Sequence, residues 1–362
     1  MPKRHPRKNV RKPQQQRKKR QPARKQKKDY TKSWLTVTFH KGFVPDTFFP
    51  SNIFPEAIHS DRITFEEAKR KKVEFWKDKN VIFHMADRSV NEYKSYYKKV
   101  LLNARICFLK FACGTGATDM THYDRNPGRP LFSHYRMMSD LCPNFLWEMP
   151  MDYNMFWGHT NKVPLTLYDK KYESPINNNK KIDFLLMMDN RMYYNYTKTL
   201  ELGKKLKEQG YNVHAILVKS NIAKMYHNKL PYKDTLNTKT PEGQKTFHKL
   251  ALNSKIMIDL CFRWTYVRVI YEALFNNCAC IGPHCYGAMY QLFPDMIIDT
   301  SNYNMKDAFD FCLDKIEKWN IDMVKQYQIR ARKVASPKVF SQRLNEATEI
   351  ILNGGKYEFK GY

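Results

Sequence analysis

The sequence predicts an α/β protein built from two doubly wound domains, and three observations carry that expectation. Short apolar runs alternate with amphipathic stretches along most of the chain, which is the pattern of a parallel sheet covered on both faces by helices. The alternation lapses between Gly158 and Lys180, where Pro164, Pro175 and the run Asn177-Asn178-Asn179 form a polar interval of the kind that separates domains. The 362 residues, 42% of them hydrophobic and 14% aromatic, are enough for two cores of ordinary size.

Taken in order, residues 1–33 form a basic tail of Lys, Arg, Gln and Pro without hydrophobic period, expected to stay disordered until it meets an anion. The first domain spans 34–157. Its first strand runs from Leu35 to His40, rich in Val, Thr and Phe. The stretch from Ile63 to Lys77 reads as a helix, Asn80 to Ala86 as a strand, Asn91 to Ala104 as a helix and Arg105 to Gly114 as a strand. Pro130 to Leu141 adds a helix and Phe145 to Met151 a strand. Residues 158–180 are the linker. The second domain spans 181–352, ahead of a short tail over 353–362. It alternates strand (from Lys181), helix (Tyr196 to Gly210), strand (Tyr211 to Lys219), a long helical or looped insert and strand (from Lys255). Then follow helix (Arg268 to Asn277), strand (Cys278 to Pro283), a short turn, strand (Met296 to Thr300) and helix (Met305 to Trp319). Two such domains form a cleft, and ligands in such sheets bind at the carboxyl ends of the strands.

The formal net charge is +28. Residues 1–28 supply half of it, with fourteen Lys or Arg and no acid. A surplus in both tail and body suits a polyanionic partner, because each phosphate neutralised releases a condensed counterion. Lys18, Lys19, Arg20, Lys27 and Lys28 are the nucleic-acid-binding candidates. An anionic membrane face would serve the same charge. No apolar run reaches the roughly 18 residues of a membrane span, and the basic N-terminus lacks the apolar core of a secretory signal, so a cytoplasmic location is expected. The eight cysteines stand mostly inside apolar runs, as reduced thiols do. Cys278 to Cys285, CACIGPHC, matches no standard zinc spacing and reads as buried strand cysteine, so no metal is expected.

Arg268 and Glu272 are four apart on one helix. They either form an i,i+4 ion pair on a solvated face or both face a ligand. In the first domain the strand ends offer His84, Asp87 and Arg88, and the weak phosphate-loop signal CGTGAT from Cys113. Asp87 or His84 has the chemistry of a general base; the bland alternative for His84 is a hydrogen-bonded residue under a helix.

From Glu272 onward the run EALFNNCACIGPHCYGAMYQLFPDMIIDT, followed by the apolar-periodic helix to Ile316, resembles the donor-binding motif of GT-B nucleotide-sugar glycosyltransferases. The resemblance implies two Rossmann-like domains facing across a cleft, with a nucleoside-diphosphate sugar bound in the second. It makes Glu272 the carboxylate that accepts the donor ribose hydroxyls and Gly287 the loop glycine. The stretch FLLMMDNRMYYNYTK is similar to the first strand of the family's second domain, which makes Arg191 and Lys198 diphosphate contacts, although their spacing is wide. Ser336 to Leu352 resembles the closing helix, so the likeness covers about half the chain. With Arg268 also placed to reach the phosphates, a metal is not required.

The chain departs from the pattern in two places. Many retaining members carry a second Glu eight residues before the ribose-binding one. Here that position is Trp264, with Arg263 beside it as a further donor-side candidate, so the anomeric outcome stays open. The loop glycine usual near Asn277 is also missing. The charge, the aromatic-rich first domain and the Lys, Asn, Tyr and Met bias resemble phage enzymes that glycosylate modified DNA bases. That resemblance implies a duplex DNA acceptor bearing a hydroxymethylated pyrimidine, with Tyr93, Tyr96 or Trp147 available to stack on an extruded base. Envelope or lipid-linked transfer at a membrane, and a non-catalytic DNA-binding protein on a degenerate transferase fold, are the alternatives.

Overall fold

The computed structural model describes residues 34–38, 61–85, 94–111, 141–148, 161–163, 168–189, 196–218, 235–236, 241–260, 268–284, 287–300 and 302–358. Among these residues two six-stranded sheets form, every pairing parallel. The first holds β1 (Trp34–Thr38), β2 (Asp61–Thr64), β3 (Asn80–Met85), β4 (Ile106–Phe111), β5 (Phe145–Glu148) and β6 (Lys162–Val163) in the order β2-β1-β3-β4-β5-β6. The second holds β7 (Ile182–Asp189), β8 (Val213–Val218), β9 (Thr235–Leu236), β10 (Ser254–Ile258), β11 (Ala279–Pro283) and β12 (Ile297–Ile298) in the order β12-β11-β10-β7-β8-β9. The chain steps outward from β7 to β9, then returns to lay β10 on the free side of β7. That reversal puts a topological switch point at the carboxyl ends of β7 and β10, and a second one lies between β1 and β3. The doubly wound expectation holds in both halves.

Helices cover the sheets: α1 (Phe65–Arg70), α2 (Val73–Trp76) and α3 (Lys94–Asn103) in the first half, then α4 (Tyr196–Glu208), α5 (Pro241–Leu252), α6 (Arg268–Phe275), α7 (Gly287–Leu292), α8 (Met305–Glu317), α9 (Ile321–Ala335) and α10 (Pro337–Leu352). With helices on both faces, central strands bury consecutive side chains rather than alternate ones. Phe184, Leu185 and Leu186 of β7 and Ile256, Met257 and Ile258 of β10 are all buried, at about 1.5–3 kcal/mol each for a full-sized apolar side chain.

Several elements differ from the sequence expectation. Ile63 pairs with Val37 in β2 instead of opening a helix, because Thr64 starts α1 with a capping box. Its Oγ1 accepts the Glu67 N–H at 3.2 Å, and Glu67 Oε2 accepts the Thr64 N–H at 2.8 Å, which satisfies two otherwise orphan donors. Extended backbone at Lys71 and Lys72 then separates α1 from α2. β6 lies inside the stretch read as linker, β9 forms inside the insert, whose helical alternative is met by α5, α7 replaces a short turn, and α9 has no counterpart among the expected elements. The helix expected over 130–141 lies almost wholly outside the described residues, as does the basic tail.

The closing helix corrects the domain boundary at 352. Phe340, Leu344, Ala347 and Ile351 form one stripe of α10, and they pack with Trp34, Ile82, Ile106, Phe108, Leu146 and Val163 of the first sheet. The Phe340 and Phe108 rings meet edge to face at 6.1 Å. Pro337 at the first helical position sets the new direction. The chain therefore passes between the halves twice, and the passages touch: the Tyr168 N–H donates to the Ala335 carbonyl at 3.0 Å. Beyond α10, Tyr357 and Asn161 exchange two hydrogen bonds, of 2.6 and 3.1 Å.

Residues 168–180 are docked on the second half. The Tyr168 ring stacks on Phe275 at 5.1 Å, and its hydroxyl donates to Glu173 at 2.6 Å. Glu173 also takes a two-pronged guanidinium contact from Arg332. Asn277 accounts for the missing glycine. Its φ of 55° is left-handed, a conformation that Asn tolerates better than other side chains. Its Nδ2 donates to the Ser174 and Pro175 carbonyls, both at 3.0 Å, while its Oδ1 accepts from Gln328 Nε2 at 2.9 Å.

This network fixes the expected ranking of two variants. Asn277→Ala loses both the backbone tolerance and three buried hydrogen bonds, and should lower unfolding free energy in urea by about 2–4 kcal/mol. Asn277→Gly keeps the backbone geometry and should lower it by about 1 kcal/mol less. Equal losses would show that the left-handed backbone contributes nothing.

Candidate functional site

The carboxyl edge of the second sheet gathers the polar side chains. β10 is extended by Asp259, whose N–H donates to the Ile281 carbonyl at 3.0 Å and which is only 3% exposed. After residues 261–267, α6 begins at Arg268 and carries Glu272 one turn later, 6% exposed. An ion pair on a solvated face is therefore not the setting of Glu272. A buried carboxylate needs donors that compensate its lost hydration, which makes it a constrained hydrogen-bond acceptor. Its own carbonyl is held by Asn276 Nδ2 at 2.7 Å.

β11 likewise runs on by one residue, with the His284 N–H donating to the Ile298 carbonyl at 3.0 Å. His284 Nδ1 accepts the Thr300 N–H at 3.2 Å and lies 3.2 Å from Asp299 Oδ1. The first contact needs Nδ1 bare and the second needs it protonated, so the ring has a partner in either state. Gly287 opens α7. Gly282 lets that helix seat closely on β11, since a Cβ there would fall 2.8 Å from Met289 Sδ.

Lys198 stands in the first turn of α4, the helix that follows β7 at the switch point. Its ammonium lies 4.7 Å from the centroid of the Tyr303 ring, in the segment between β12 and α8. The phenol is held above its ordinary pKa by burial first, then by Cys312 and Glu201.

Of the sequence candidates, Lys198, Arg268, Glu272 and Gly287 thus fall on helices entered from the carboxyl edge of one sheet. Arg191, Arg263 and Trp264 lie outside the described residues. In the first half, His84 is the penultimate residue of β3, paired with Lys110, at that sheet's own switch point. Asp87, Arg88, Tyr93, Lys18, Lys19, Arg20, Lys27 and Lys28 lie outside the described residues, whereas Tyr96 is in α3 and Trp147 in β5. Sequence reasoning missed Asp259, His284, Asp299 and Tyr303. Each ends or follows a short apolar strand, and that position was the available signal.

No protein-family model matches the chain, and no curated protein matches it in sequence. Solved structures do. A structure of a glycine-to-arginine mutant of S. aureus TarM in complex with fondaparinux, alpha-GlcNAc-glycerol and UDP is similar at 12% identity and a TM-score of 0.53, over 83% of this chain and 59% of that one. An E. coli trehalose-6-phosphate structure bound with UDP-2-fluoro glucose is similar at 11% identity and a TM-score of 0.50, over 76% and 74% of the two chains. An alpha,alpha-trehalose 6-phosphate synthase from Burkholderia multivorans is similar at 8% identity and a TM-score of 0.50, over 86% and 82%. What is shared at these identities is the fold, and the chain has the two-domain, Rossmann-like GT-B fold.

The cysteines on the same strands take no part in the edge. Cys278 and Cys280 are fully buried and free, and burial pushes the Cys278 thiol up to about 12. Cys107, Cys142 and Cys312 are also buried and free. Among the described residues no His, Cys, Asp or Glu group has the arrangement of a metal site. Buried neutral thiols react slowly. With five of the eight cysteines so placed, an aromatic disulfide reagent should titrate at most three thiols in the native protein and all eight after denaturation. Rapid native labelling of Cys278 or Cys280 would contradict the strand packing.

Proposed function

We propose that the chain is a glycosyltransferase that holds a nucleoside-diphosphate sugar at the carboxyl edge of its second sheet and transfers the sugar to an acceptor handled by its first half. The observation that carries the reading is the buried carboxylate of Glu272 on α6, the helix that follows β10, with Lys198 in the first turn of α4, the helix that follows β7. A carboxylate can accept both hydroxyls of a ribose, and cations at helix starts suit a diphosphate. Support comes from similar folds whose solved structures hold UDP or UDP-2-fluoro glucose.

In the reaction the bond from the anomeric carbon to the diphosphate oxygen breaks. The acceptor oxygen bonds to that carbon, and the acceptor proton passes to a base. His84 or Asp87 is the base if the configuration inverts. If it is retained, stabilisation of the leaving diphosphate by Lys198, Arg191 and Arg268, with Arg263 nearby in sequence, carries more of the barrier. These cations supply the neutralisation that a metal would otherwise provide.

The acceptor that the charge favours is duplex DNA bearing a hydroxymethylated pyrimidine. The net charge of +28 and the acid-free first 28 residues provide the phosphate attraction, and Tyr96 or Trp147 could stack against a base.

Incubation with UDP-, GDP-, ADP- and dTDP-sugars should release the matching nucleoside diphosphate from one of them. Replacing Glu272 and Arg268 together by Ala should lower that release at least about 100-fold, and undiminished turnover would sink the site assignment. With hydroxymethylated duplex DNA present, the digested nucleosides should gain a hexose or pentose mass. DNA affinity should fall about 10³-fold or more between 50 and 200 mM salt, and should drop on deletion of residues 1–28. A salt-independent affinity, or a deletion that affects only anionic vesicles, would overturn the DNA acceptor.

A further inference from the structure

Lys198 occupies an electrostatically awkward place. It sits in the first turn of α4, where the helix macrodipole is positive and a cation is disfavoured. No acidic residue shares that turn. Among the described residues its ammonium makes no ion pair; its partner is the face of the Tyr303 ring, at 4.7 Å. A ring face attracts a cation through its quadrupole without neutralising it, whereas a carboxylate there would cancel the charge that an anionic ligand needs.

The ring is itself well anchored. Tyr303 follows β12 directly before α8, whose start is capped by the Asn304 side chain accepting the Lys306 N–H at 2.8 Å. α8 packs along α4, so the two helix starts stand side by side. Among the described residues the Tyr303 hydroxyl donates to Met305 Sδ, at 3.6 Å, a weak acceptor. The hydroxyl therefore contributes little to the arrangement, and the ring face is the part that matters.

We propose that Tyr303 is a positioning residue, one whose ring holds the Lys198 ammonium toward the diphosphate of the nucleotide sugar. The role rests on the donor site proposed above. Tyr303 does not touch the reacting atoms; it restricts a long side chain that would otherwise lose rotamer freedom on binding.

The test is titration calorimetry of the full chain with UDP, GDP, ADP and dTDP, with thermal melting of every variant. Tyr303→Leu should weaken the diphosphate that binds by about five- to tenfold, in line with a partly desolvated cation–ring contact. Tyr303→Phe, which keeps the ring face, should restore affinity to within about twofold of the unaltered chain. In a Lys198→Met background Tyr303→Leu should have no further effect, since the ring then has no ammonium to hold. A Tyr303→Leu variant that melts normally and binds as tightly as the unaltered chain overturns the proposal. So does a Tyr303→Leu loss that persists undiminished in the Lys198→Met background, or a Phe variant as weak as Leu. If the unaltered chain binds none of the four diphosphates, the donor site falls, which is a different outcome from a site that binds but ignores Tyr303.

Discussion

A single buried amine fastens the second half of the molecule. Lys180, two residues before β7, sends its ammonium to the Leu252 carbonyl at 2.8 Å and to the Asn276 carbonyl at 3.3 Å. These oxygens lie at the carboxyl ends of α5 and α6, where helices leave unpaired acceptors and a negative end of the dipole. Burial pushes the Lys180 pKa down, so the charge is held there against its hydration by those acceptors. α6 has only eight residues and is too short to be stable alone. Its carboxyl end is set by Lys180, Asn276 and Asn277, while Arg268 opens it and Glu272 follows one turn later. The candidate site is therefore positioned from the opposite edge of the sheet.

The same clasp reaches the connection between the halves. Ser174 donates its N–H to the Phe275 carbonyl at 2.7 Å, and Asn277 holds the Ser174 and Pro175 carbonyls. Glu173 binds Tyr168 and Arg332. Arg332 belongs to α9, the helix whose end gives way to α10. One polar network thus secures the outgoing passage of the chain, the incoming passage and the foot of α6. Its members come from residues 168–180, 276–277 and 328–332, far apart in sequence, and each is satisfied by the others as buried polar groups must be.

How much of this the sequence discloses follows from the range of the interactions involved. Strands such as β7 and β10 are legible because their signal is local and apolar. Thr64 and Glu67 carried a local signal as well, a Thr followed three residues later by Glu, which marks a helix start within the longer stretch from Ile63 to Lys77. The allegiance of α10 is not legible: its apolar stripe specifies a partner surface without saying which sheet supplies it. In the site, Glu272 and Lys198 stood out by their motif positions. Tyr303 did not, because its significance comes from a lysine more than a hundred residues earlier. Asn277 shows the converse, a departure from pattern that looked like a loss and is a replacement, with the side chain adding bonds that glycine could not make.

The return of α10 to the first sheet has a consequence for the order of events during synthesis. The strands from β1 to β6 are made early, yet Trp34, Ile82, Phe108 and Leu146 meet Phe340, Leu344 and Ile351 only once the far end of the chain has been translated. Domains commonly fold as they emerge, but here the first half waits with an apolar face uncovered while the second half completes itself. The nascent first half is thus a stage exposed to mispairing or to capture by a chaperone, and α10 covers its apolar face only after the second sheet has been made.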